Sequence, residues 1–278
     1  MRWSLSPSPP RRKITVKRRL ESERPVRSRY AGSLPPYFKS PEQLLLELGV
    51  SEPSDILIEA IAQHCGATIL YESLEGSEAR LLGYGARALI TVNKNAGVPR
   101  QRFSAAHELG HWMWDRGKMA FSCAEQQFHG EWSKDNPERR ANRYAEELLL
   151  PRSLFLREAR SLPLSLASVK SLAHRFQTSL SATAIRLVEL SDSLALLVCS
   201  EQGRRRWFVR SGSVPWGYRV KNLVVPGSRI EEAPGSFWLE PREGTTVRLP
   251  ETILVDPFRI APNLVLTLLT WVQPPVLN

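Results

Sequence analysis

Phe103-Ser104-Ala105-Ala106-His107-Glu108-Leu109-Gly110-His111, FSAAHELGH, decides how this chain is read. The stretch lies in a longer segment, Arg100 to Trp114, that is apolar at helical spacing. On a helix, residues four apart project from one face on successive turns, so His107 and His111 can converge on a single cation. Glu108 follows the first histidine directly and sits on the flank of that face. There it is placed to act as general base toward water that a bound zinc ion would acidify, while the metal polarises a peptide carbonyl. Phe103, Ala105, Ala106 and Leu109 call for burial beside the motif. Polar side chains on a partly apolar face are costly without partners, which argues against two incidental surface histidines.

A catalytic zinc takes a third protein ligand and keeps one position open. The metzincin extension of the motif requires glycine at position 114 and histidine at position 117; Trp114 and Gly117 stand there, so that class is excluded. The candidates are Asp115, Glu125, His129, Glu131, Glu138, Glu146 and Glu147. Asn136-Pro137 reads as a helix start, with Asn as cap and Pro in the first turn, and the helix runs to Leu150 before Pro151. Glu138 falls in its first turn, where free amides and the helix dipole favour a carboxylate. His129, as an imidazole, is the main rival. The residues alone leave that choice open.

FSAAHELGH, followed after a loop by Glu138 to Pro151 (ERRANRYAEELLLP), resembles the ImmA/IrrE family of zinc peptidases. That family pairs HExxH with a helix of the form ExxANxFAxxLLxP. Ala141, Asn142, Ala145, Leu148, Leu149 and Pro151 match, and Tyr144 stands where Phe is usual. The resemblance covers roughly residues 40–152 and implies that Glu138 is the third ligand. The order of peptidase, helix–turn–helix and β-rich end is similar to that of radiation-response members. It implies site-specific cleavage of a helix–turn–helix repressor of the DdrO type, de-repressing DNA-damage genes, and a GAF-like C-terminal sensor. The expected cofactor is Zn²⁺; Mn²⁺ or Fe²⁺ would suit the same ligands.

Outward from the motif, the expected class is α+β: a mainly helical zincin-like domain with a small sheet at 36–155, a helix–turn–helix at 156–191 and a GAF-like domain at 192–278. Residues 1–35, rich in Pro, Arg and Ser, read as a basic disordered tail. Of the 38 basic and 28 acidic residues, 11 and two lie in the first 40, so this segment holds +9 of the net +10. Such an arm can touch nucleic-acid phosphates without sequence preference. Leu44 to Leu48 and Ile56 to Ala62 suggest two short helices, the second capped at Ser54-Asp55. Ala67–Tyr71 and Ala88–Val92 read as strands, with Gly83–Gly85 a third strand or a turn.

Ser165–Phe176 and Ser181–Leu190 form the expected helix–turn–helix, closed by Gln177-Thr178-Ser179. Its second helix offers one basic side chain, Arg186, opposed by Glu189. Base reading needs more, so docking of a protein partner is the expected role, with Arg186 as a weak contact candidate. From Ser193 the period becomes two. Strands are expected at Leu194–Cys199, Arg205–Arg210, Ser236–Leu239, Ile253–Asp256 and Leu264–Val272, with a hairpin turn at Gln202-Gly203. Cys65, Cys123 and Cys199 are far apart, which fits a reducing cytoplasm. No apolar run reaches the length of a membrane span, and no apolar leader follows the N-terminal basic residues.

Overall fold

The computed structural model describes residues 37–116, 121–124, 136–221, 231–234, 239–245, 247–249, 252–271 and 276–277. The expected tail, Glu125, His129 and Glu131 lie outside these residues. The described chain mixes helices and sheets and divides into two compact units. The first holds residues up to Phe155 together with Leu172–Thr183; the second holds Leu156–Ser171 and Ala184 onward.

The first unit opens with α1, Pro41–Glu47. Ser40 caps it by a reciprocal box: Gln43 N donates to Ser40 Oγ at 3.3 Å, and Ser40 N donates to Gln43 Oε1 at 3.1 Å. The second helix, α2, spans Ile58–His64 and has no side-chain cap. The expected cap at Ser54-Asp55 is instead a 3-10 turn over Pro53–Asp55. Asp55 looks backward, its Oδ2 accepting from Ser51 N at 3.0 Å and Glu52 N at 2.8 Å. An aspartate in this sequence context serves a turn as readily as a helix end.

Three strands follow: β1 (Ala67–Glu72), β2 (Ser77–Tyr84) and β3 (Arg87–Asn93). With β4 (Phe121–Ala124) they form a sheet in the order β1-β3-β2-β4. Strands β1 and β3 are parallel; β2 is antiparallel to both β3 and β4. Alternate residues Ala79 and Leu81 on β2, and Ala88, Ile90 and Val92 on β3, are buried, while Leu82 and Tyr84 face out. That alternation is the period-two pattern of a sheet covered on one face.

The cover is α3, Val98–Asp115. Its Trp112 seals the contact: a β-carbon at Gly83 would lie 2.9 Å from the Trp112 ring, and Trp112 Nε1 donates to Cys65 O at 2.9 Å. α4, Pro137–Leu149, packs on α3 and begins where the sequence placed it, with Glu138 N donating to the Asn136 side chain at 2.9 Å. The Tyr144 departure from the family pattern has a local account. Its ring is fully buried, and its hydroxyl donates to Lys39 O at 3.2 Å. The three remaining helices are α5 (Arg152–Ala159), α6 (Leu166–Phe176) and α7 (Leu180–Glu189). Phe155 and Phe176, both fully buried, stack with ring centroids 5.5 Å apart in the first unit.

The second unit is built on an antiparallel sheet of order β6 (Arg204–Arg210), β5 (Ala195–Glu201), β12 (Leu264–Trp271), β11 (Thr252–Ala261) and β8 (Glu231–Pro234). Its first hairpin joins β5 (Ala195–Glu201) to β6 (Arg204–Arg210) through Gln202 and Gly203. These two have φ of 49° and 77°, the left-handed pair a tight hairpin requires. A short pair, β7 (Tyr218–Val220) and β9 (Leu239–Pro241), lies apart from the sheet, and β8 (Glu231–Pro234) forms its edge. β10 (Val247–Arg248) pairs with β13 (Val276–Leu277), while β11 (Thr252–Ala261) and β12 (Leu264–Trp271) are the long inner strands. Leu196, Val198, Ile253, Val255, Leu269 and Trp271 are among the residues that close the core. The start of α6 is fixed to this unit by Leu166 N donating to Asp256 Oδ2 at 2.8 Å, with the Lys170 ammonium 4.0 Å from the Phe258 ring centroid. Among the described residues no helix is long and apolar enough to cross a membrane.

Candidate metal centre

Six of the polar side chains on α3 are buried: Arg102, Ser104, His107, Glu108, His111 and Asp115. His107 and His111 stand one turn apart, and Glu138 reaches them from the first turn of α4. His107 Nε2 and His111 Nε2 are 3.1 Å apart. Glu138 places Oε2 3.2 Å from His107 Nε2 and Oε1 3.3 Å from His111 Nε2. A tetrahedral zinc with bonds of about 2.0–2.1 Å spaces its ligands about 3.3 Å apart, close to the nitrogen–nitrogen separation and to the distance from each imidazole nitrogen to its own Glu138 oxygen. Two imidazole nitrogens and one carboxylate are also a donor set that zinc accepts.

The helices approach this closely because position 110 is glycine. A β-carbon there would meet Ala141 Cα at 3.0 Å and Tyr144 Cβ at 3.1 Å. Small residues at 110 and 141 let α4 lie against the motif, which brings Glu138 within reach.

Asn142, one turn beyond Glu138, sets the tautomer of His107. Its Oδ1 is 2.9 Å from His107 Nδ1, and an amide oxygen only accepts, so Nδ1 carries a proton and Nε2 is the nitrogen turned to the trio, the one that must give up its proton for a metal to bind. His111 Nδ1 faces Asp115 Oδ2 at 4.0 Å, and Arg140 from α4 approaches Asp115 Oδ1 at 3.7 Å. The Arg140 guanidinium also lies 5.1 Å from the Trp114 ring centroid. The hydrogen bond with His107, and next that with His111, hold the Glu138 carboxyl well below the usual carboxylate range; its partial burial opposes them. Glu108 is 1% exposed, beside the first ligand position.

Sequence reasoning, with the family resemblance, brought His107, Glu108, His111 and Glu138 to one place, but gave no role to Asn142 or Gly110, and weighed Asp115 only as a possible third ligand. A signal existed for two of them. Asn142 is four residues after Glu138, and Asp115 four after His111, so each shares a helix face with a ligand candidate. Glu146 and Glu147, two turns further along α4, are not in the trio, and neither is Asp115. Arg186 lies half-buried on α7, in the second unit. Cys65 is buried, and burial pushes its thiol up to about 11.

An imidazole pair on one helix, a carboxylate from the next and a glutamate beside the first imidazole make a cluster that could hold a metal ion. Residues 62–188 match the model of the IrrE N-terminal-like domain, a peptidase family, so this part of the chain is similar to the ImmA/IrrE peptidases. A solved structure described as a Mycobacterium tuberculosis transcriptional regulator has the same fold, at 12% identity and a TM-score of 0.52 over 84% of this chain and 86% of that one. No curated protein matches the sequence.

Proposed function

We propose that the protein is a site-specific zinc metalloendopeptidase that cuts a helix–turn–helix transcriptional repressor of the DdrO type and so de-represses DNA-damage and radiation-response genes. The observation that carries the reading is the convergence of the two imidazole nitrogens, 3.1 Å apart, on the Glu138 carboxylate, one oxygen 3.2 Å from His107 and the other 3.3 Å from His111, with Glu108 buried beside them. His107, His111 and Glu138 would hold the ion; Mn²⁺ or Fe²⁺ would suit the same donors. Zinc supplies Lewis-acid chemistry here, acidifying water and polarising the scissile carbonyl. Glu108 accepts the proton of the attacking water and delivers it to the leaving amine as the C–N bond breaks. Asn142 keeps His107 in the tautomer that leaves Nε2 for the metal. The trio and Glu108 are carried on two packed helices, so the constellation is set before substrate arrives.

In this reading α6 and α7 are the helix–turn–helix of a 156–191 module that docks the repressor, with Arg186 as one contact. Residues 192–278 are a GAF-like sensor, residues 1–35 a basic tail, and the working place is the cytoplasm. The test is incubation of the zinc-loaded wild type and Glu108→Gln with a DdrO-type repressor, read by mass spectrometry. A single cut by the wild type alone, with zinc retained in both, supports the reading. A Glu108→Gln protein that still cuts removes Glu108 from the chemistry.

The structural neighbour's description as a transcriptional regulator favours one second reading: a non-catalytic DNA-binding regulator with structural zinc. It predicts sequence-selective gel shifts at physiological salt that are indifferent to Glu108→Gln. Binding through the tail alone would instead fall steeply with salt and vanish when residues 1–35 are deleted.

A further inference from the structure

We infer that a cavity one helical turn from the metal trio is the pocket that selects substrate, and that it takes a large, uncharged apolar side chain of the peptide close to the cut. The inference rests on the peptidase reading above. The cavity has a volume of about 270 Å³ and lies wholly within the first unit. Its walls come from the start of α3, the end of α4 and the start of α7, with Phe103, Leu149 and Ala182 among the apolar residues and Arg100 and Glu146 among the polar ones.

Its position follows from the run of the two helices. His111 and His107 both meet Glu138, His107 also meets Asn142, and one turn further in the same direction Phe103 and Glu146 line the cavity. Phe103 is shared between the two places: its ring centroid lies 6.2 Å from that of His107, and its side chain walls the cavity. A helical turn advances about 5.4 Å and an extended peptide about 3.3–3.6 Å per residue. A chain held at the trio and laid along the α3–α4 groove therefore reaches the cavity within about two residues.

The lining also states what enters. Arg100 is already paired with Glu78 Oε2 at 3.5 Å, and Glu146 is the other charged group of the lining, so an acidic substrate residue would be desolvated there without compensation. The remaining lining is apolar or hydroxylic, and the volume accepts one large side chain. The turn before α7 thus contributes to substrate choice through the side chain its first residues accommodate, rather than through base contacts.

The probe is a series of short peptide hydroxamates, which anchor to zinc, bearing Gly, Leu, Phe or Asp at the first, second or third residue. Affinity is measured by calorimetry on the zinc-loaded full chain. At one of these positions Leu or Phe should bind about 10- to 100-fold more tightly than Gly, with Asp no better than Gly. Ala182→Phe and Gly97→Phe fill the cavity and its rim, and should erase that preference, bringing the Leu and Phe compounds to the affinity of the Gly compound measured on the same variant. Gly97→Phe guards against misfolding: Gly97 is exposed, its φ is −66°, and a β-carbon there meets nothing within 4 Å. Equal binding of Gly, Leu and Phe at every position, or a preference that survives both substitutions, overturns the pocket. A chain that takes up no zinc, or a zinc-loaded chain that binds none of the series, overturns the peptidase reading and this one with it.

Discussion

Helix α3 and strand β5 are both almost wholly buried, yet they are buried for opposite reasons. Of the seven residues of β5, Ala195 to Ser200 are buried, and the sequence there is ALLVCS, mostly apolar and paired on both sides by β6 and β12. The burial stabilises by removing hydrocarbon from water. α3 buries His107, Glu108, His111 and Asp115 at 1 to 6% exposure beside Ala105, Ala106 and Leu109. Placing ionisable groups there costs free energy, which a stability argument alone does not explain. The strand is shaped by packing; the helix is shaped by something it must hold.

That contrast predicts that substitutions in the two places fail differently. The largest effect is expected for Glu138→Ala, which leaves two imidazoles facing a gap. Bound zinc after dialysis should fall from one equivalent to a trace, with the fold retained by circular dichroism. Tight zinc in that variant would return the third position to the other candidates, His129 first. Leu268→Ala in β12 should do the reverse. Leu268 is 1% exposed, and truncation there should cost about 2–5 kcal/mol in denaturant unfolding while zinc stoichiometry stays at one. Loss of zinc from Leu268→Ala would break the comparison.

Asn142→Ala comes next. It removes the group that fixes His107's tautomer without touching the trio, so zinc affinity should drop by about 10- to 100-fold in competition with a chromophoric chelator. An unchanged affinity would mean that the α3–α4 packing, rather than the 2.9 Å bond, orients the ring.

These same elements show what could be read in advance. The imidazole pair was legible because its information is local, a four-residue spacing; an Asn-Pro helix start kept Glu138 among the candidates for third ligand, and the family resemblance singled it out. α5 was not, because Pro151 reads as a stop. The chain ends one helix there and starts another at once, with Phe155 N donating to Pro151 O at 2.9 Å. β7 and β8 were missed for a different reason. Each is defined by a distant partner, β9 for Tyr218–Val220 and β11 for Glu231–Pro234, and three or four residues carry too little pattern of their own. Asn142 was hidden in plain view: its match to the family motif marked the position, but its task appears only when α4 lies against α3.

The smallest expected effect sharpens the comparison through pH. Glu138 in the metal-free protein has its carboxyl pulled below the value it has when unfolded, by His107 first and His111 second. A carboxyl depressed on folding contributes stability that is present above its unfolded pKa, near the usual carboxylate value, and is lost as pH falls through the folded one. Unfolding of the metal-free chain by urea, followed from pH 5.5 down to 3, should therefore show stability declining with acid. Glu138→Gln should flatten part of that slope, because its side chain no longer exchanges a proton in either state. Leu268→Ala should lower the whole curve and leave its slope unchanged. If Glu138→Gln and wild type run parallel across that range, the carboxylate is not held by the imidazole pair in solution, and the polar burial on α3 needs another cause than the metal.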